Sequence, residues 1–234
     1  MKQEDLLKSA WEQSYFNRDN YVFYPHEEVI RFTSKYVRKR IGLKEFLDVN
    51  SYDATPKVLD LGCGIGRHIV YFCEMKLEPY GVDLSENAVK YAIQWAKENG
   101  LSAAEERIVQ GDVTQLPWQE QYFDFMVSHG VLDSMSFETA RLAIKEAHRV
   151  LKKDGLFYCD LVSGDDSIHF REFNGEEIVA TKHEQGTIQS YFNFEKINEL
   201  IDVFFEIKEA KLISHENCIS NGYYKRYHVV LQKK

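Results

Sequence analysis

Cysteine is sparse and scattered in this chain of 234 residues: Cys63, Cys73, Cys159 and Cys218 form no C-x-x-C pair. Neither a zinc site nor a disulfide framework is indicated, and a reducing cytoplasm is the expected setting. No apolar run approaches the length of about 18 residues that a transmembrane helix needs, so no membrane is expected as a partner. The opening Met1-Lys2-Gln3-Glu4-Asp5 lacks the apolar core of a signal peptide. Basic residues are in deficit, 29 against 37 acids, for a net charge of −8. A general nucleic-acid binder would need a basic footprint, so no nucleic-acid partner is expected. There is no repeat and no low-complexity segment. A chain of this length and balance suits one α/β domain with decorations.

Glycine is gathered where one short stretch needs it. In Lys57-Val58-Leu59-Asp60-Leu61-Gly62-Cys63-Gly64-Ile65-Gly66-Arg67-His68, an apolar strand breaks into three glycines and then a helix. Glycines at a strand exit let the backbone turn sharply and approach a ligand, while the helix N-terminus offers free N–H groups. Tyr80-Gly81-Val82-Asp83 closes a second strand, where an acid can bind both hydroxyls of a ribose. The alternative without a ligand is a plain glycine-rich turn.

The spacing separates two nucleoside cofactors. A dinucleotide loop reads G-x-G-x-x-G, whose third glycine would fall on Arg67 or Ile69. Asp60-x-Gly62-x-Gly64-x-Gly66 instead resembles motif I of the class I S-adenosylmethionine (SAM) dependent methyltransferases. The resemblance covers roughly residues 57–232. It implies a Rossmann-like three-layer α/β sandwich, a seven-stranded sheet of order 3-2-1-4-5-7-6 with strand 7 antiparallel. It also assigns SAM to Asp60, Gly62, Cys63, Gly64 and Arg67 in the loop and to Asp83 with Leu84. Asp112 with Val113 would sit at the adenine, and Ser128 at the end of strand four. The alternative reading of Asp112 is a plain Asx-turn residue.

Read in order, residues 1–50 are expected to be helical and to form a lid segment, with residues 51–234 the cofactor domain. A second helix should begin near Pro25, and Lys35, Arg38, Lys39 and Arg40 should be its solvated, dipole-complementing end. Tyr15, Phe16, Tyr21, Phe23 and Tyr24 between the helices are too aromatic for a linker. They serve either as a cover that brings Tyr15 and Tyr24 to the cofactor or as core packing. Strands are expected at 57–61, 78–83, 107–110, 122–128, 156–162, 205–214 and 224–232, with caps at Ser85, Ser136 and Asn193. Lys152-Lys153-Asp154-Gly155 should close the fourth core helix, and Asn221-Gly222 should turn the last hairpin. Residues 163–192 read as an inserted β-hairpin, Glu177–Lys182 against Thr187–Phe192, over the mouth of the site.

A sulfonium methyl is already activated, so proximity and orientation supply much of the rate. A base is required only if the acceptor arrives protonated. The candidates at the strand ends are His129, Asp133, His169 and Asp165, with His129 best placed. Asp160 reads as structural and His148 as a junction residue. Ser128-His129-Gly130-Val131 lacks the prolines of enzymes that methylate nucleobase amines. The expected function is methyl transfer to a small-molecule oxygen or nitrogen acceptor by a monomer or homodimer. A non-catalytic SAM or nucleotide-binding regulator and an NAD-dependent oxidoreductase are the alternatives.

Overall fold

β1 (Lys57–Leu61) is the centre of a seven-stranded sheet with β2 (Glu78–Asp83), β3 (Ile108–Gln110), β4 (Phe123–Ser128), β5 (Leu151–Val162), β6 (Phe205–Glu216) and β7 (Tyr223–Lys233). The computed structural model describes residues 3–169, 171–181 and 185–234, with the side chains of residues 3–6 excepted. The strand order is 3-2-1-4-5-7-6, and β7 runs antiparallel between β5 and β6. That last strand separates the sheet from a dinucleotide-binding one, so the oxidoreductase alternative loses its architecture.

Helices pack on both faces because the strand pleat sends alternate residues to opposite sides. Leu59, Leu61, Met126, Phe157 and Leu231 meet α6 (Phe137–Val150) and α7 (Phe194–Ile201) on one face. Val58, Phe125, Val127, Tyr158 and Val230 meet α2 (Glu27–Phe32) and α3 (Arg67–Glu74) on the other. Each large side chain buried in these layers contributes about 1.5–3 kcal/mol. α4 (Glu86–Glu98) and α5 (Ala104–Arg107) extend the second layer beside β3. Ser85, Ser136 and Asn193 cap their helices as expected, accepting from the amides of Ala88, Thr139 and Lys196.

The N-terminal fifty residues are not wholly helical. After α1 (Gln3–Phe16) and α2, a π-helical turn at Thr33–Val37 leads into a β-ribbon, Arg38–Arg40 against Phe46–Asp48. Arg38 is therefore no solvated helix end. Its guanidinium holds Asp48 at 2.5 Å and the carbonyl of Lys76 at 2.5 Å, so its charge serves the C-terminus of α3 instead. Lys35 pairs with Glu209.

Two further boundaries differ. β5 starts at Leu151, directly after α6, because Leu151 pairs with Phe123 and the register shifts before Phe125 meets Leu156. Asn221-Gly222 does not make a tight turn. Residues 217–222 form a longer loop, tied by the Asn217 amide on the Gly222 carbonyl at 2.7 Å and the Asn221 amide on the Asn217 carbonyl at 2.9 Å. The inserted hairpin is present but short, Glu176–Ile178 against Ile188–Ser190, and its expected arm end at Lys182 and joint at Glu184 lie outside the described residues. His148 packs on Phe204 and Phe205, a junction role. The four thiols are free: Cys63 and Cys159 are buried, Cys73 is half-buried, and Cys218 is exposed in the loop 217–222.

Candidate cofactor and acceptor cleft

Parallel strands deliver their C-terminal loops to one edge, and there the loops after β1, β2, β3 and β4 surround a cavity of about 1080 Å³. Gly62, Cys63, Gly64 and Arg67 form its floor, Asp83 and Leu84 one side, and Asp112 and Val113 the adjoining side. Gly64 has φ +52°, and a Cβ there would stand 2.6 Å from the Tyr15 hydroxyl. Only glycine gives this turn without strain and lets α1 lie so close. Gly66, at φ +93°, brings α3 against Ala92 of α4 in the same way.

Asp83 accepts from the Gly64 amide at 2.8 Å and the Ser85 amide at 3.0 Å. Burial pushes its carboxyl up to about 6 against those two donors, with Asp60 and Glu12 adding to the rise. Each carboxylate oxygen carries two lone pairs, so both can still accept from a diol. Asp112 makes the Asx turn, its Oδ1 accepting from the amide and hydroxyl of Thr114 at 2.8 and 2.7 Å. Around these acids stand the apolar Leu84 and Val113 and the cation Arg67, a set that suits a nucleoside with a charged amino-acid end.

The opposite rim is built by α1 and the segment after it. Trp11, Tyr15, Asn20 and Val22 line the cavity. Glu12 fixes α1 to the start of α4, receiving the Ser85 hydroxyl and the Asn87 side-chain amide, both at 2.6 Å. Burial and the Asp83 charge keep the Tyr15 hydroxyl protonated, its pKa well above the usual phenol value. Tyr21 and Phe23 instead pack edge-on against Tyr91 and Trp95 of α4. The aromatic segment thus divides between cover and packing. Tyr24 belongs to neither: it is 83% exposed and outside the cavity. The inward place goes to His26, whose amide donates to His68 Nε2 at 3.3 Å and whose ring lies 4.0 Å from that of His129.

His129 follows β4 and faces the cavity. Arg67 can only donate, so the 3.0 Å contact between its Nη2 and His129 Nδ1 makes Nδ1 the acceptor. The imidazole proton then sits on Nε2, which points at Asp160 Oδ2 from 3.4 Å. Burial lowers the imidazole pKa strongly, opposed by Asp160 and reinforced by His26 and Arg67. Asp160, a strand residue in sequence, lies under this loop and accepts from the Gly130 amide at 2.7 Å and from Arg226 Nε at 2.8 Å. Its burial would raise the carboxyl, but Arg226, His129 and the Gly130 amide hold it below the usual carboxylate range.

Several expected site residues fall elsewhere. Asp133 is 1% exposed and committed, its Oδ2 receiving Arg226 Nη2 at 2.6 Å and the Val162 amide at 2.8 Å, so it is no base at the cavity. His169 is stacked on Phe173 and bonded to Asp166 and Glu177 within the insertion, off the cavity wall. Asp165 pairs with Lys225. Asp60 and Ser128 are buried beneath the floor, Asp60 within 3.4 Å of His68 Nδ1. Sequence reading missed Glu12, His26, His68 and Arg226. Only His68, next to Arg67 at the start of α3, had a signal in the motif itself.

Comparison with known proteins agrees with this geometry. The family described as "Methyltransferase domain" matches residues 59–159. The uncharacterized methyltransferase YcgJ of Bacillus subtilis (strain 168) is 34% identical over 104 residues, 44% of this chain and 40% of that protein. The demethylmenaquinone methyltransferase of Geobacillus kaustophilus (strain HTA426) is 30% identical over 120 residues, 50% of this chain and 49% of that one. The chain therefore spans less than half the length of either curated relative. In fold, it resembles the 1,6-didemethyltoxoflavin-N1-methyltransferase of Burkholderia thailandensis, a structure with bound 1,6-didemethyltoxoflavin and S-adenosylhomocysteine. The TM-score is 0.67 at 18% identity, covering 98% of this chain and 88% of that one. Over residues 59–159 the chain thus matches the methyltransferase-domain family, and its sheet order and its glycine loop facing Asp83 agree with the class I S-adenosylmethionine-dependent methyltransferase fold.

Proposed function

We propose that the chain transfers the methyl group of SAM to an oxygen or nitrogen of a small-molecule acceptor. One observation carries this reading. The glycine loop and an apolar chamber walled by α6 and the hairpin are parts of a single cavity of about 1080 Å³. Small-ligand sites usually measure about 300–1,000 Å³, so there is room for an acceptor beside the cofactor. Two of the proteins compared are named for small-molecule acceptors, demethylmenaquinone and 1,6-didemethyltoxoflavin, which supports the same reading.

When bound, SAM supplies a methyl group activated by its sulfonium. Asp83 would hold the ribose hydroxyls, Leu84 and Val113 would flank the adenine, and the free oxygen of Asp112 would meet its amino group. Arg67 would serve the amino-acid carboxylate. Trp11 and Tyr15 exclude water from above. The chain thus contributes chiefly position, converting a bimolecular encounter into an aligned one. For a hydroxyl acceptor, His129 Nδ1 receives the proton while Asp160 faces its Nε2, and this requires Arg67 to turn away, since both need the same lone pair.

Calorimetry with S-adenosylhomocysteine and NADH in parallel tests the binding, with only the former expected to bind. Incubation with methyl-tritiated SAM and a cell extract tests the transfer. Label should appear in the small-molecule fraction. Label confined to RNA or protein would overturn the acceptor class, and binding without any transfer would favour a non-catalytic SAM-binding regulator.

A further inference from the structure

Charge is unevenly distributed around the cavity. Asp83, Asp112, Arg67, His68 and His129 all lie at the strand ends. The wall away from them is formed by Met135 and Leu142 of the α6 region and by Ile178 and Ile188 of the hairpin. Among the described residues, no carboxylate and no cation lines this wall; Lys8, exposed on α1, is the charged side chain at the outer rim.

The hydroxyls of the wall are already engaged. Ser136 Oγ caps α6 and shares a 2.8 Å hydrogen bond with Thr139 Oγ1, while Ser134 Oγ donates to the Gly130 carbonyl. A charged group laid here would lose its hydration with nothing to replace it.

The wall is also a built feature. The Ser190 amide and the Gln189 side chain donate to the Asp133 carbonyl at 2.7 and 2.8 Å, and Glu176 Oε1 accepts from the Phe137 amide. These bonds hold the hairpin against the start of α6. Yet Leu142 stands 56% exposed and Ile178 76% exposed on it. Large aliphatic side chains left uncovered at the mouth of a ligand cavity mark where an apolar ligand lies.

We infer that the acceptor is an uncharged molecule with an apolar body of ring or short-chain type, lying on Leu142, Ile178 and Ile188. The inference rests on the methyl-transfer reading and narrows its acceptor. The reactive atom is the polar end, turned toward His129 and Arg67, where the charged groups of the cavity are found. Among the described residues, an ammonium acceptor finds no carboxylate on this wall. Among the same residues, a carboxylate acceptor finds only Lys8, whose exposed ammonium is screened by water.

The test uses the full chain saturated with S-adenosylhomocysteine and three probes of one shape: 2-naphthol, 2-naphthoate and 2-naphthylmethylammonium. Calorimetry should show 2-naphthol binding at least about tenfold tighter than either ion. Ile178→Asp places a charge on the wall at an exposed position that the fold tolerates. It should weaken 2-naphthol about tenfold or more while leaving S-adenosylhomocysteine affinity unchanged. Equal or tighter binding of either ion, an unaffected Ile178→Asp variant, or no binding of any probe would overturn the inference. Loss of naphthoate affinity in Lys8→Met would identify an anionic acceptor instead. Failure of S-adenosylhomocysteine itself to bind would remove the methyl-transfer reading, and the two failures are thereby told apart.

Discussion

Glu12 of α1 accepts a 2.6 Å hydrogen bond from the hydroxyl of Ser85, the N-cap of α4, so the cover of the cleft is anchored at the end of the strand that carries Asp83. The carboxylate also meets the positive end of the α4 dipole. Glu12→Ala should release α1 at a cost of about 1–2 kcal/mol. Hydrogen exchange in α1 should rise, and S-adenosylhomocysteine should bind more weakly. Unchanged exchange would show that α1 is held by its apolar contacts alone.

Asp83→Asn should divide stability from binding. Ionising Asp83 in the fold costs up to about 3 kcal/mol, given its rise from 3.8 to about 6. A raised carboxyl binds protons more tightly in the folded state, so its cost is absent below about pH 4 and grows as pH rises through 6. The variant should therefore melt higher than the parent at pH 7.5 and equally at pH 4. Its cofactor affinity should fall, because a charged acceptor is lost. His26 has the opposite sign. Burial lowers it to about 4, so its contribution is full above pH 6.5 and declines as pH falls toward 4. Titrations of the two variants, Asp83→Asn and His26→Gln, should diverge over the same window.

Arg67→Met removes the donor from His129 Nδ1 and a cation beside the ring. The imidazole pKa should rise, though burial, the larger cause, remains. Carbon-13 shifts of labelled histidine, assigned through His129→Gln, provide the measurement. An unmoved titration would mean that the guanidinium does not govern this nitrogen.

Much of this site could be read before the fold was known, and the reason is local. The glycine loop, Asp83 and the helix caps follow from spacings within about 30 residues, where backbone geometry leaves few choices, while the strand order was implied by the family resemblance. What escaped was long-range. Asp160 looked structural and Asp133 looked catalytic, yet Arg226 of the last strand binds both, and the second is sealed from the cleft. Tyr24 and His26 are two residues apart, and sequence gave no means of telling which would turn inward. The ribbon at Arg38–Arg40 likewise depended on Asp48 and the carbonyls of Met75 and Lys76, just past α3.

Arg226→Met should therefore reach well beyond β7. It leaves two buried carboxylates without their cation and should cost about 3–5 kcal/mol. Arg226→Lys keeps the charge but loses the fork, and should recover part of the loss. Urea denaturation reads both; a parent-like midpoint for Arg226→Met would show that the acids are protonated in the fold. Replacing Asp133 by Asn in the Met background should restore stability, since one of the two stranded charges is removed.

The placement of the thiols makes the native chain countable by reagent. Alkylation needs an accessible thiolate. Burial holds the Cys63 and Cys159 thiols far up and that of Cys73 up to about 11, while Cys218 stands exposed between β6 and β7. Under native conditions, iodoacetamide should thus add one adduct per molecule. In urea the mass should advance to four. A fluorophore on Cys218 would label every molecule at the same spot, leaving the thiol of the glycine loop untouched.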